Sequence, residues 1–296
     1  MEEAVCTPVS VPEELRLAAA ARAVAVNPAN APRADRIVRI VEQLLGPYQR
    51  PDYVLPPDHL ALLTQKRWPA AGARLTVGFL EPTGAELRER ILLQMNAWSQ
   101  FCNVRFQWTQ TDPQVRISRG PGGYWSYLGT DVLAIPAGRP TMNLEGFTTQ
   151  TPESEFVRVV RHETGHTLGF PHEHMRRELV AKIDPAKAIA YYGRTQGWSA
   201  AEVRQQVLTP LEEQSVLGTE RADETSVMCY QIPGSLTRDG RPILGGADIS
   251  ESDKAFAAKV YPKAEQPVTQ KPHTLTFPGG MLTFTGGGTF DGKPFA

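Results

Sequence analysis

The chain has 296 residues, with 31 Lys and Arg against 32 Asp and Glu and a formal net charge of −1. That balance lacks the basic excess that draws phosphate backbones, which argues against nucleic acid as the main partner. Apolar residues at 41% and charged residues at 21% exclude the disordered and collagen-like classes. No stretch approaches the roughly 18 apolar residues of a spanning helix, so no membrane span is expected. Three cysteines, Cys6, Cys102 and Cys229, leave at least one unpaired and do not suggest a disulfide scaffold. The opening MEEAVCTPVSVPEEL lacks the apolar core of a secretory signal. The expectation is therefore a cytoplasmic chain, or one exported by a signal-independent route.

Residues 1–66 read as a helical segment punctuated by proline. The stretch 13–26 is rich in Ala and Arg, NPANAP at 27–32 is a turn, and 34–45 repeats apolar residues at helical spacing before Gly46-Pro47. The segment is short of aromatics and is expected to pack on the rest of the chain. From Trp68 the pattern changes. Leu75, Val77 and Phe79 alternate as in a half-buried strand. Thr83 and Glu86 suggest a capping box for a helix with the stripe Leu87, Ile91, Met95 and Trp98. Val104, Phe106 and Trp108, then Val115 and Ile117, predict two more strands, and the runs 124–129 and 132–135 suggest others. A second helix opens near Thr151-Pro152, with Phe156, Val159 and Val160 on one face. This order predicts an α+β fold, with helices on a mostly antiparallel or mixed sheet. Residues 264–296 are rich in glycine and read as a small hairpin or an extension.

Four of the six histidines fall between 162 and 174, in the run HETGHTLGFPHEH. On a helix His162 and His166 stand one turn apart on one face, so both imidazoles reach one zinc. Glu163 comes directly after the first of them and leans over the metal without binding it. Gly169 permits the backbone turn that brings His172 back as a third ligand. Three protein ligands leave one position for water, the arrangement of a catalytic site. The spacing H-E-x-x-H-x-x-G-x-x-H is far more specific than its first five residues alone. His59 and His273 have no ligand spacing. His174 reads as a neighbour of the ligands or a surface residue, and the pair Arg176-Arg177 as a solvated patch.

The run resembles the metzincin zinc peptidases, and the astacin family in particular, which continues with the Phe170, Glu173 and Arg176 found here. Ser226-Val227-Met228-Cys229-Tyr230 resembles the family's methionine turn, with Cys229 where the family has histidine. The resemblance spans roughly 68–262. It implies a metzincin-type catalytic domain: a twisted, mostly parallel or mixed sheet, two long helices and a zinc cleft between two subdomains. It implies one Zn²⁺ per chain on His162, His166 and His172, Glu163 as general base, Tyr230 as oxyanion donor, Met228 as the floor of the site, and Glu173 as the residue that secures the mature N-terminus. The two disulfides usual in secreted relatives cannot both form from three cysteines.

The domains expected are an N-terminal helical segment at 1–66, a candidate pro-segment; a peptidase domain at 67–263; and the tail at 264–296. The activity expected is zinc-dependent hydrolysis of peptide bonds in a polypeptide substrate lying along the 124–129 edge. The alternatives are a processing or effector protease with one partner, and a binding module that retains zinc without hydrolysis. Because relatives are made as precursors whose N-terminal segment supplies a fourth ligand, Cys6 is a candidate inhibitory switch. Its alternative reading is an idle thiol beside a structural helical collar.

Overall fold

The computed structural model describes residues 6–7, 9–32, 64–210, 222–263 and the strands beyond 272. The helix expected at 34–45 and His59 lie outside the described residues. Two compact units divide at 263/264. In the second, His273–Phe277 pairs antiparallel with Gly280–Phe284, and Thr289–Phe290 with Lys293–Pro294.

The first unit is built on a five-stranded mixed sheet. Its strands are β1 (Ala73–Phe79), β2 (Val104–Trp108), β3 (Val115–Ser118), β4 (Tyr124–Ser126) and β5 (Met142–Leu144), in spatial order β2-β1-β3-β5-β4. Every pairing is parallel except that of β4 with β5. The sheet is thus mixed and mainly parallel, as the resemblance implies; of the two readings taken from the strand pattern the mixed one holds and the mostly antiparallel one does not, because alternation reports which face of a strand is buried, not the direction of its neighbour. Leu75, Val77, Val115 and Ile117 are buried against α2 (Ala85–Met95), whose stripe Leu87, Ile91 and Met95 continues into the 3-10 turn holding Trp98. The capping box does not form. The helix starts one residue later, with Gly84 as its cap, and the Thr83 hydroxyl donates to the Glu81 carbonyl instead.

The run Val132 to Ile135 is not a strand. Residues Gly129–Leu133 make a 3-10 turn, because the buried Arg116 guanidinium gathers the carbonyls of Val132, Ile135 and Arg139 around it. Those carbonyls are satisfied by one side chain and need no ladder.

Helix α3 starts as Glu153–Glu155, with Pro152 at its cap, passes through a π turn at Phe156–Val160 and continues as Arg161–Thr167. Past His172 the chain forms short helices: α4 (Arg177–Val180), α5 (Pro185–Thr195), α6 (Ala200–Val203, running into a π turn at Arg204–Leu208) and α7 (Glu251–Val260). Leu179, Ile183, Tyr192, Val203, Val207, Ile232 and Ile243 make a second core there.

The described residues of the N-terminal segment are part of the first unit. Helix α1 (Arg16–Val26) buries Ala19 beside Val11 and Ile135. It is stitched to the start of the sheet domain by side-chain amides. Asn27 Nδ2 donates to the Trp68 carbonyl, Asn30 Nδ2 to that of Arg67, Arg67 N to Asn30 Oδ1, and Gln65 N to the Asn30 carbonyl. Among the described residues no helix is long and apolar enough to cross a membrane.

Candidate metal centre and active site

The C-terminal end of α3 is built to turn. Gly169 adopts φ +88°, its N–H donates to the His166 carbonyl, and Phe170 N–H reaches back to Gly165. This is the glycine-terminated helix end in which left-handed backbone closes two orphan carbonyls. The next two carbonyls are capped from elsewhere: Trp68 Nε1 donates to Thr167 (2.8 Å) and the Tyr261 hydroxyl to Leu168 (2.5 Å). The chain leaving this turn carries His172 back beside the helix.

His162, His166 and His172 are all buried, and their Nε2 atoms lie 3.0–3.1 Å from one another. His162 Nδ1 faces the Val227 carbonyl at 2.6 Å and His166 Nδ1 that of Phe170 at 2.8 Å, so both rings carry their proton on Nδ1 and turn a lone pair inward. Converging lone pairs repel unless a cation sits among them. Nitrogens about 2.0–2.1 Å from a tetrahedral zinc would stand about 3.3 Å apart, close to the spacing found. Burial pushes all three imidazoles below their ordinary pKa, His166 to about 4, which keeps them in the neutral form a metal requires. The donor set fits zinc.

A fourth atom joins them. Cys6 Sγ is 3.6 Å from His166 Nε2, and the four candidate ligand atoms lie within 4.8 Å of one another. Cys6 is brought there along the sheet edge: it bridges Tyr124 in parallel, and Thr7 N donates to the Tyr124 carbonyl at 2.8 Å. Burial, with the Glu163 carboxylate close by, pushes its thiol well up, so a thiolate exists here only with a cation beside it.

Glu163 is 1% exposed, and neither carboxylate oxygen has a hydrogen-bond partner. Burial raises its pKa to about 8, against lowering by Cys6 and Arg158. It faces a cleft of about 540 Å³ that Arg158, Val159, Tyr191, Ile243 and Leu244 also line. Tyr230 is buried, and its hydroxyl donates to the Cys6 carbonyl. Met228 lies under α3 so closely that a Cβ on Gly165 would stand 2.3 Å from its Sδ. Glu173 N donates to the Met228 carbonyl and Glu173 Oε1 accepts from Asp223 N, which ties the His172 segment to the methionine turn. Burial lifts the Glu173 carboxyl to about 7. All three cysteines are free and buried.

Asp253 gives no functional signal in the sequence. It accepts from Ser226 Oγ and Val227 N, which holds the methionine turn in place. The trace it leaves in the sequence is the Ser250-x-x-Asp253 capping box that starts α7. His174, expected as a neighbour of the ligands or a surface residue, is the former: it is fully buried, lies beside His172 with ring centroids 5.2 Å apart, and stacks on Tyr230.

The family model for the Astacin peptidases matches residues 63–231, more than half of the chain. Zinc metalloproteinase nas-27 of Caenorhabditis elegans is 33% identical over 100 residues, 33% of this chain and 21% of that relative, so the chain spans about a fifth of its length. A structure of myroilysin is similar with a TM-score of 0.62 at 32% identity, covering 67% of this chain and 97% of that one. A crystal structure of myroilysin gives a TM-score of 0.52 at 32% identity, covering 67% and 86%.

Proposed function

The chain belongs to the astacin family of peptidases, and we propose that it is a zinc metalloendopeptidase acting on a polypeptide, that Glu163 and Tyr230 run its chemistry and that Cys6 closes the site in a latent form. One observation carries this reading. The Cys6 residue brings its sulfur to the three ligand nitrogens while its carbonyl accepts the Tyr230 hydroxyl. A segment in that position excludes both water and substrate.

With the segment gone, His162, His166 and His172 would hold zinc, which would supply a water acidified to a pKa near 7 and polarisation of the scissile carbonyl. Glu163, which lines the cleft, is placed to take a proton from the attacking water and deliver it to the departing amine. Tyr230 now donates to the Cys6 carbonyl oxygen, and the same hydroxyl would donate to the oxygen that becomes negative in the transition state. The substrate backbone would take the outer edge of β4 by added-strand pairing, in place of the Cys6-Thr7 stretch whose Thr7 N now donates to the Tyr124 carbonyl. Glu163 argues against a module that holds zinc without hydrolysis. A restricted processing role is favoured by the occupied site, since a latent enzyme acts only where it is opened.

The test uses the full-length protein loaded with about one zinc per chain. Cys6→Ala and thiol alkylation should each raise peptidase activity. A parent chain already as active as Cys6→Ala would leave the segment structural and refute the latency.

A further inference from the structure

His174 lies two residues past His172, yet its nitrogens stand outside the group of converging ligand atoms. Its ring is fully buried, and Nε2 lies 3.1 Å from the Gln206 carbonyl in the π turn of α6. A carbonyl accepts, so Nε2 carries the proton and Nδ1 is a bare lone pair. That atom is sealed from solvent and has no hydrogen-bond partner. Burying an unpaired acceptor costs free energy that phenylalanine in the same space would not. The advantage of an imidazole here is its anchor: the Gln206 bond fixes rotation of the ring about Cβ–Cγ, which an apolar ring would leave free.

The fixed ring in turn meets Tyr230, with centroids 4.0 Å apart and planes 16° from parallel. His172 flanks the same phenol at 4.3 Å and 56°. The tilt of the phenol sets where its hydroxyl points, and in this structure it points at the Cys6 carbonyl beside the metal centre. A hydrogen-bond donor helps a transition state most when no reorientation is needed at the moment of reaction.

We propose that His174 is a positioning residue for Tyr230: clamped through Nε2 to Gln206, its imidazole holds the phenol plane so that the hydroxyl is aimed at the oxygen over the three-histidine centre. The proposal rests on the reading of Tyr230 as the oxyanion donor. It assigns the C-terminal half of the domain, through Gln206, a part in the chemistry that the ligand set does not reveal.

The experiment is a double-mutant cycle of His174→Ala and Tyr230→Phe in the full-length, zinc-loaded chain. The first readout is the alkylation rate of Cys6, resolved from Cys102 and Cys229 by peptide mass spectrometry. The second is kcat and KM in the same chains carrying Cys6→Ala. His174→Ala should speed Cys6 alkylation several-fold and lower kcat by roughly tenfold with KM little changed, the scale of a modest misalignment. His174→Phe, which keeps the stack and loses the anchor, should fall between. In the Tyr230→Phe background the His174 change should add nothing to either readout. Equal effects in both backgrounds, or none in the parent, would overturn the proposal. An unchanged kcat in Tyr230→Phe alone would instead refute the oxyanion reading, while the alkylation cycle still tests the clamp. If His174→Ala loses zinc or melts early, His174→Phe, which keeps an aromatic ring in the site, decides on the same criterion.

Discussion

Around the sheet, Leu75, Val77, Val115 and Ile117 are buried within a five-stranded ladder covered by α2 and α3. Beyond His172, the core of Leu179, Ile183, Val203, Ile232 and Ile243 has no such ladder among the described residues, only the bridges Ile183–Thr237 and Ile232–Ile243. The first half is held by backbone pairing and helix packing, the second by side-chain contacts, among which Cys6 and Tyr230 are counted. The difference bears on the metal. His162 and His166 stand on a helix of the stiff half, whereas His172 and Tyr230 belong to the chain that enters the looser one. A zinc held by His162, His166 and His172 would therefore do more than serve hydrolysis; it would tie the second half to the first.

Removing the metal should separate the two halves most sharply. His166→Ala should abolish zinc binding and peptidase activity together, and chelation should reproduce the loss. Ligand at a thousandfold over its dissociation constant stabilises by about 4 kcal/mol. Amide exchange should therefore quicken near Ile183, Ile232 and Ile243 on chelation while Val77, Val115 and Ile117 stay protected. Uniform loss of protection would mean that the halves unfold as one.

A milder substitution separates chemistry from tying. In the Cys6→Ala chain, Glu163→Gln should lower kcat by about 10²-fold or more, the scale of a lost general base, with zinc content and exchange pattern unchanged. Parental kcat in this variant would move proton transfer to another group.

The smallest effect is expected at the seam itself. A methyl on Gly165 would collide with Met228 Sδ at 2.3 Å, so Gly165→Ala should cost about 1–3 kcal/mol in denaturant unfolding, as overpacking does. A variant as stable as the parent would show that the methionine floor yields easily and that the seam is loose even with metal bound.

The stiff half and the ligand set are the more legible parts of the sequence. Period-two alternation marks β1, β2 and β3, the helical stripe marks Leu87, Ile91 and Met95, and three histidines with a glycine between them carry the centre. The features that escape depend on partners distant in the chain. Val132 to Ile135 has the composition of a strand, but Arg116, far earlier in the sequence, takes its carbonyls. Parallel order is invisible to alternation. The stack of His174 on Tyr230 joins residues 56 positions apart, and no local pattern encodes it. Asn30 reads as part of a Pro-rich turn, yet it is fully buried and holds backbone on both sides of residues 33–63.

That last stitch has a consequence for how the arm departs. Four hydrogen bonds join Asn27 and Asn30 to Gln65, Arg67 and Trp68, roughly 2–6 kcal/mol at about 0.5–1.5 kcal/mol each, before the docking of α1 is added. Severing the backbone anywhere in 33–63 leaves every one of them intact. A nicked molecule is then a noncovalent complex rather than a liberated enzyme. Its cut arm leaves at a rate set by dissociation, and it rebinds in proportion to its own concentration, so dilution accomplishes what the cut alone does not.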